Sequence, residues 1–333
     1  MLRRRALPLA LAPLLAGPAA AQAWPARPLR MLIPWPPGQA TDIIGRLIAN
    51  LLTTPLGQPV VPENRPGAGG MIGTDLVAKG PADGYTLLSA SIGPITFGPL
   101  VNRTPYDVER ELAPVVSFGV APYMLLVKPG FAATDARGFV ALLKANPGRY
   151  TFPSSGIGGA QHLLTAVFNA KAEIDALHVP FQGSGPALSA LLAGQVDYAI
   201  DTPAAANALV RDGSLRVLGQ SLARPSALLP GVPPLAEVAD VPGYDIGGWN
   251  GLMVQAATPR PIIDRLFEEV KAGLATAELR DRFAGIGMEV GPLGPEGFAA
   301  MLRDQKALFG PLIVIAQAPR AGPALPGAGC AGS

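Results

Sequence analysis

Three short segments rich in Gly, Ser and Pro stand where a strand-like run gives way to a helix-like one. They are Pro34-Trp35-Pro36-Pro37-Gly38-Gln39-Ala40-Thr41-Asp42, Ser154-Ser155-Gly156-Ile157-Gly158-Gly159 and Gln182-Gly183-Ser184-Gly185-Pro186. The first turn of a helix exposes backbone N–H groups without partners and a partial positive charge, so each segment suits a carboxylate or a phosphate. One such turn is an ordinary strand-to-helix connection. Three in one chain predict loops gathered at strand ends around a shared cleft. Asp42, Asp197 and Asp201 are the acidic residues expected nearest that cleft. The helix dipole accounts for Asp42, whereas Asp201, at the end of a predicted strand, could accept a hydrogen bond from a ligand hydroxyl or ammonium. Trp35 and Trp249 flank predicted strand ends, where a pocket wall and core packing are both open readings.

Other chemistries find less support. Gly156 to Gln161 begins like G-x-G-x-x-G but ends in Gln, Gly67 to Ile72 also misses at the sixth place, and no phosphate-binding G-x-x-x-x-G-K-[ST] occurs. Nucleotide binding is therefore not expected. Hydrolysis is the enzymatic rival: with only two histidines, a relay would have to pair His162 or His178 with Ser154, Ser155 or Ser184. The G-x-S-x-G elbow is absent, and structural histidines are the plainer reading. Neither a metal site nor a cofactor is expected, because no HExxH or other ligand cluster occurs and the single Cys, Cys330, lies in the tail. No basic run follows Arg5, so nucleic acid is not an expected partner.

The elements that must position these loops alternate between strand and helix, which predicts an α/β protein with largely parallel sheets. Strands are expected at Leu29 to Ile33, Gln58 to Pro62, Tyr85 to Ala90, Tyr123 to Val127, Tyr150 to Pro153, Leu177 to Val179, Val196 to Ile200, Leu215 to Gly219 and Asn250 to Val254. Helices are expected at Thr41 to Leu52, Met71 to Lys79, Asp135 to Ala145 behind a Thr134 cap, Ala160 to Ala170, Pro186 to Ala193, Ala204 to Arg211, Pro259 to Ala275 and Pro295 to about Ile315. Residues 1–23 read as a cleaved export signal: Arg3 to Arg5, an apolar Ala6 to Ala16, and Ala21-Gln22-Ala23. That apolar run falls short of the roughly 20 residues that span a membrane. The rest exceeds what one core usually supports, which predicts two lobes. The chain crosses between them at Val115 to Val127 and Asn250 to Gln255. The first lobe is then 24–122 with 250–316, the second 123–249, and 317–333 a disordered tail.

Several runs resemble the tripartite tricarboxylate transporter receptor family, the Bug or TctC type of extracytoplasmic solute receptor. The landmarks are Trp24 to Arg30, Pro59 to Gly70, Asp83 to Leu88, Ser154 to Gly156, His178 to Ala187, Gly213 to Leu218 and Trp249 to Leu252. The resemblance implies a type II periplasmic-binding fold, with two α/β lobes closing over a carboxylate held by backbone amides and small hydroxyls. Carried over, it assigns Pro36, Pro37, Gly38, Ala40, Thr41 and Asp42 to the first ligand loop, and Ser154, Ser155, Gly156 and Gly158 to the second. Gly183, Ser184 and Asp201 complete the lining. The implied molecule is a monomeric, non-enzymatic periplasmic receptor that serves membrane permease subunits of a tripartite tricarboxylate-type transporter or, alternatively, reports to a membrane sensor. Two departures stand out: Gln39 where the family's first loop carries the second of a Gly pair, and Gly159 where its second loop carries Thr.

Overall fold

The computed structural model describes residues 24–101 and 103–317. Its strands are β1 Leu29–Ile33, β2 Val60–Asn64, β3 Thr86–Ser91, β4 Leu112–Ala121, β5 Met124–Val127, β6 Tyr150–Ser154, β7 Ala176–Pro180, β8 Tyr198–Asp201, β9 Arg216–Gln220, β10 Gly248–Gln255 and β11 Glu289–Leu293. Between them lie α1 Ala40–Leu56, α2 Met71–Ala78, α3 Gly98–Val101, α4 Val108–Glu111, α5 Ala136–Lys144 and α6 Ala160–Lys171. The remaining helices are α7 Ser184–Ala193, α8 Pro203–Arg211, α9 Leu235–Val238, α10 Arg260–Leu274, α11 Ala277–Gly285 and α12 Pro295–Gln317. The expected export signal, residues 1–23, and residues 318–333 of the expected tail lie outside the described residues.

One six-stranded sheet, ordered β11-β4-β10-β3-β1-β2, is built from both ends of the described chain. The middle supplies β8-β5-β9 and β6-β7. Side chains alternate across the large sheet as the two-residue strand period requires. Leu29, Met31 and Ile33 of β1 enter a core beneath α1, α10 and α11, while Leu32 of the same strand faces the core shared with Leu88 and Met253. In α1, Ile44, Ile48 and Leu52 recur every fourth residue and are buried, so the helix lays one apolar stripe on the sheet. Each such side chain contributes about 1.5–3 kcal/mol.

The sheets are mixed, not largely parallel. β1 pairs in parallel with β2 and β3, and β6 with β7, but β10 runs antiparallel to β3 and β4, β11 to β4, and β5 to β8 and β9. Strands β4 and β10 adjoin the two passages between the halves and run in opposite directions. The outward passage lies between β4 and β5, at Pro122-Tyr123. The return lies just before β10, because Asn250 to Gln255 pair wholly within the large sheet. Ser221 ties the passages together: its N–H donates to the Tyr123 carbonyl, its hydroxyl to the Ile246 carbonyl, and it accepts from the N–H groups of both Tyr123 and Ile246. The cap of α5 is Asp135, whose carboxylate accepts from Gly138 N–H at 2.7 Å, and not Thr134. Strand β11 and helix α11 lie in a stretch for which no element is expected from sequence.

Candidate ligand-binding site

The two halves meet around a hollow of about 40 Å³. At the usual requirement of about 10–15 Å³ per water, it has room for about three. From the first half come Trp35, Gln39, Ala40, Thr41 and Ser91, from the second Ser155, Ala160, Gln161, Ser184 and Thr202. Tyr123, Trp249 and Asn250, from the passages and β10, close it. No Lys, Arg or His lines it.

Helices α1, α6 and α7 begin at this hollow, and each starts without a side-chain cap, at Gln39, Gly159 and Gly183. All three starting residues are buried. A buried helix start leaves unsatisfied N–H donors unless something other than water accepts from them. Gly183 has φ +123°, and a Cβ there would lie 3.2 Å from Gln39 Nε2, so only glycine lets the first loop pack against the third.

A hydrogen-bonded chain fixes the floor. Ser155 Oγ donates to Gln161 Oε1 at 2.6 Å, and Gln161 Nε2 donates to Ser184 Oγ at 3.0 Å and to Asp201 Oδ1 at 3.1 Å. Ser184 Oγ donates to the same carboxylate oxygen at 3.1 Å, and Thr202 N–H at 2.7 Å. Asp201 is 2 % exposed. Burial pushes its carboxyl above the usual range, against the pull of these donors. Burial, and secondarily the Asp201 charge, push the Tyr123 hydroxyl up, so it stays a neutral donor. Among the described residues no protein acceptor takes the Tyr123 proton. Thr41 Oγ1 accepts from Asn250 Nδ2 at 2.8 Å, which leaves its own proton free for a guest. Trp35 Nε1 is held by Ser91 Oγ at 2.9 Å and Trp249 Nε1 by Gln305 Oε1 at 2.8 Å, so both indoles are fixed walls.

The residues singled out from sequence divide. Ala40, Thr41, Ser155 and Ser184 line the hollow, as do Trp35 and Trp249. Asp201 and Gly183 stand directly behind that lining. Pro37 and Gly38 are exposed, and Gly38 N–H is spent on Asp42 Oδ2 at 2.9 Å. Asp42 also accepts from Arg46 Nε and Asn64 Nδ2, which turns it away from the hollow to anchor the first loop. Pro36 and Gly156 face a separate outer groove with Pro66 to Gly70. Asp197 accepts from the N–H and hydroxyl of Thr151, away from the hollow.

Ser154 is 1 % exposed. Its hydroxyl lies 2.7 Å from His178 Nε2 and accepts from Gly156 N–H at 3.1 Å. The serine and histidine that a hydrolase would need do meet, but behind the loop, where no substrate reaches them. His178 stacks on His162 with ring centroids 4.0 Å apart, and His162 Nδ1 accepts from Gly158 N–H at 3.2 Å. Burial lowers His162 to about 4; burial, with the neighbouring ring, lowers His178 to about 3. Two neutral rings thus buttress the second loop. Tyr123, Gln161 and Asn250 carry no local sequence signal of a site.

Elsewhere the halves approach closely at two glycines, one against main chain and one against a proline ring. A Cβ on Gly69 would fall 2.7 Å from the Ile157 carbonyl oxygen, and one on Gly287 2.2 Å from Pro203 Cβ.

Residues 44–317 match the family described as tripartite tricarboxylate transporter family receptor. The chain is 38% identical over 275 residues to Protein BugT of Bordetella pertussis, covering 82% of this chain and 84% of that protein. A solved structure of R. palustris Rpa4515 with adipate has a TM-score of 0.84 at 31% identity, covering 88% of this chain and 98% of the other. MatC from Rhodopseudomonas palustris with bound malate gives 0.81 at 28% identity, covering 87% and 100%. The periplasmic binding protein BugD gives 0.81 at 28% identity, covering 88% and 98%.

Proposed function

The chain belongs to the tripartite tricarboxylate transporter receptor family, a family of solute-binding receptors and not of enzymes, and on that premise we propose that it captures a small organic carboxylate between its lobes. In this reading the export signal is removed, the mature receptor works as a periplasmic monomer, and it presents its guest to membrane permease subunits of a tripartite tricarboxylate-type transporter. The observation that carries the proposal is the convergence of three buried helix starts without side-chain caps on one hollow that lacks any cationic side chain. Oriented N–H groups stabilise a carboxylate there without an Arg clamp. The adipate and malate held by Rpa4515 and MatC support this choice of guest.

Capture is a population shift: the guest bridges both lobes and favours the state in which they meet. A thermal-shift series of the mature protein against adipate, malate, citrate and an amine control tests it. At about 100 times its dissociation constant, a bound acid should add roughly 2.7 kcal/mol of stability. A series in which no carboxylate raises the midpoint would sink the proposal. The transport half is tested by uptake of the captured acid in cells lacking this chain, with the permease intact. Unchanged uptake combined with a lost transcriptional response would make the protein a sensor's receptor instead.

A further inference from the structure

We infer that Gln39 selects the guest, by donating its amide to the far oxygen of a short two-ended acid and by excluding longer ones. The inference rests on the carboxylate-capture reading above and assigns one side chain within it. Gln39 is 8 % exposed, lines the hollow, and its Nε2 is buried without a hydrogen-bond partner among the described residues. Such an orphan donor costs about 1–3 kcal/mol, so a side chain held in this state points to a missing acceptor.

Its surroundings say what kind of acceptor. Gln39 stands at the cap position of α1 with extended backbone, φ −76° and ψ 159°, yet its side chain does not cap the helix. It reaches to the other half and lays Nε2 against Gly183, the uncapped start of α7. Gly183 opens α7, whose first free backbone N–H groups, those of Ser184 and Gly185, are donors too. Donors contributed by both halves are complemented by an anionic oxygen. The side chain also occupies space between the starts of α1 and α7, leaving a hollow of about 40 Å³. Neither diacid enters a space with room for about three waters unless the halves part, and a four-carbon chain requires the smaller opening.

The test is isothermal titration of the full mature protein with succinate and with adipate, on the wild type and on Gln39→Leu, Gln39→Gly and Gln39→Glu, with the ligand-free melting midpoint of each as a control. The wild type should hold succinate at least tenfold more tightly than adipate. Gln39→Leu keeps the bulk and loses the donor, so succinate affinity should fall at least tenfold while the ligand-free midpoint holds or rises. Gln39→Gly opens the space and should bring adipate within about threefold of succinate. Gln39→Glu should lose both acids. The inference is overturned if Gln39→Leu binds succinate as the wild type does, or if the wild type prefers adipate. It is equally overturned if Gln39→Glu raises the midpoint and keeps its affinity, as a residue that merely caps α7 would. A wild type that binds neither succinate nor adipate while binding another carboxylate overturns the assignment of Gln39 alone. Failure with every carboxylate overturns the capture reading as well.

Discussion

Helices at the outer surface and helices at the hollow begin in opposite ways. At the surface, α5 is capped by Asp135, α11 by Thr276 and the short α4 by Asp107, each side chain accepting from backbone N–H groups of its own first turn. At the hollow, α1, α6 and α7 have no such acceptor although their starts are buried. Helix α10 also lacks a side-chain cap, but Pro259 and Arg260 are exposed and water can serve it. Buried starts without a side-chain cap also occur at α2 (Gly70), α8 (Thr202) and α9 (Pro234), so what sets α1, α6 and α7 apart from α2 and α9 is that their uncapped starts share one hollow, which Thr202 of α8 also lines.

The contrast can be broken in graded steps. Acidification should act most strongly, because the second loop is buttressed by neutral rings, whereas two of the three surface caps are carboxylates and the third a hydroxyl. With folded values near 4 and 3 against 6.5 unfolded, the unfolded chain binds more protons in this window. The histidine contribution is therefore complete above pH 6.5 and is lost as pH falls towards 4 and then 3. His162 alone accounts for up to about 3 kcal/mol before solvent screening reduces it. Chemical denaturation from pH 7.5 to 4.5 should show this fall, and His162→Asn should flatten it; an identical slope in the variant would refute the assignment.

Next in size is Asp201. Replacement by Ala strands Gln161, Ser184 and Thr202 and should cost about 2–3 kcal/mol together with acid binding. Asp201→Asn keeps the accepting oxygen and removes a buried charge. Because the folded carboxyl is raised, Asp201 loses stability as pH climbs from 3.8 through its folded value. The Asn variant should thus gain on the wild type at pH 8 and bind acids at least as tightly. Equal damage from Ala and Asn would show that the charge itself is needed.

The smallest expected effects come from exchanging the two designs. Asp135→Ala should cost about 1 kcal/mol and leave acid affinity untouched, while Gln39→Asp, a cap installed at the hollow, should add up to about 1 kcal/mol and expel the guest. Titration and melting of both variants would check the exchange. Parallel behaviour in the two would erase the distinction between the regions.

Much of this architecture is legible in the residues. The alternation of Leu29 to Ile33 and the four-residue spacing of Ile44, Ile48 and Leu52 announce β1 and α1, and Gly, Ser and Pro mark the three loops. Finer placement depends on parity. At the end of β6, Ser154 turns inward to His178 while its neighbour Ser155 faces the hollow, and composition cannot distinguish them. Pro37 and Gly38 sit at the tip of a turn that projects outward before α1 swings back. Tyr123 lies in an apolar run that reads only as core, and Gln161 gains its role from Ser155, Ser184 and Asp201, which are remote in sequence. Strand β11 escaped because Gly291 and Pro292 interrupt a half-exposed edge. Helix α11 did carry a signal in Leu279 and Phe283, four residues apart and both buried among charges.

The contacts of Gly69 with Ile157 and of Gly287 with Pro203 make the meeting of the halves a hard stop, with no compressible cushion between the jaws. Under the proposed reading, substitutions around the hollow would change the guest without changing how far the halves close. A molecule too long for the space would hold them ajar, so its length would be written as an angle.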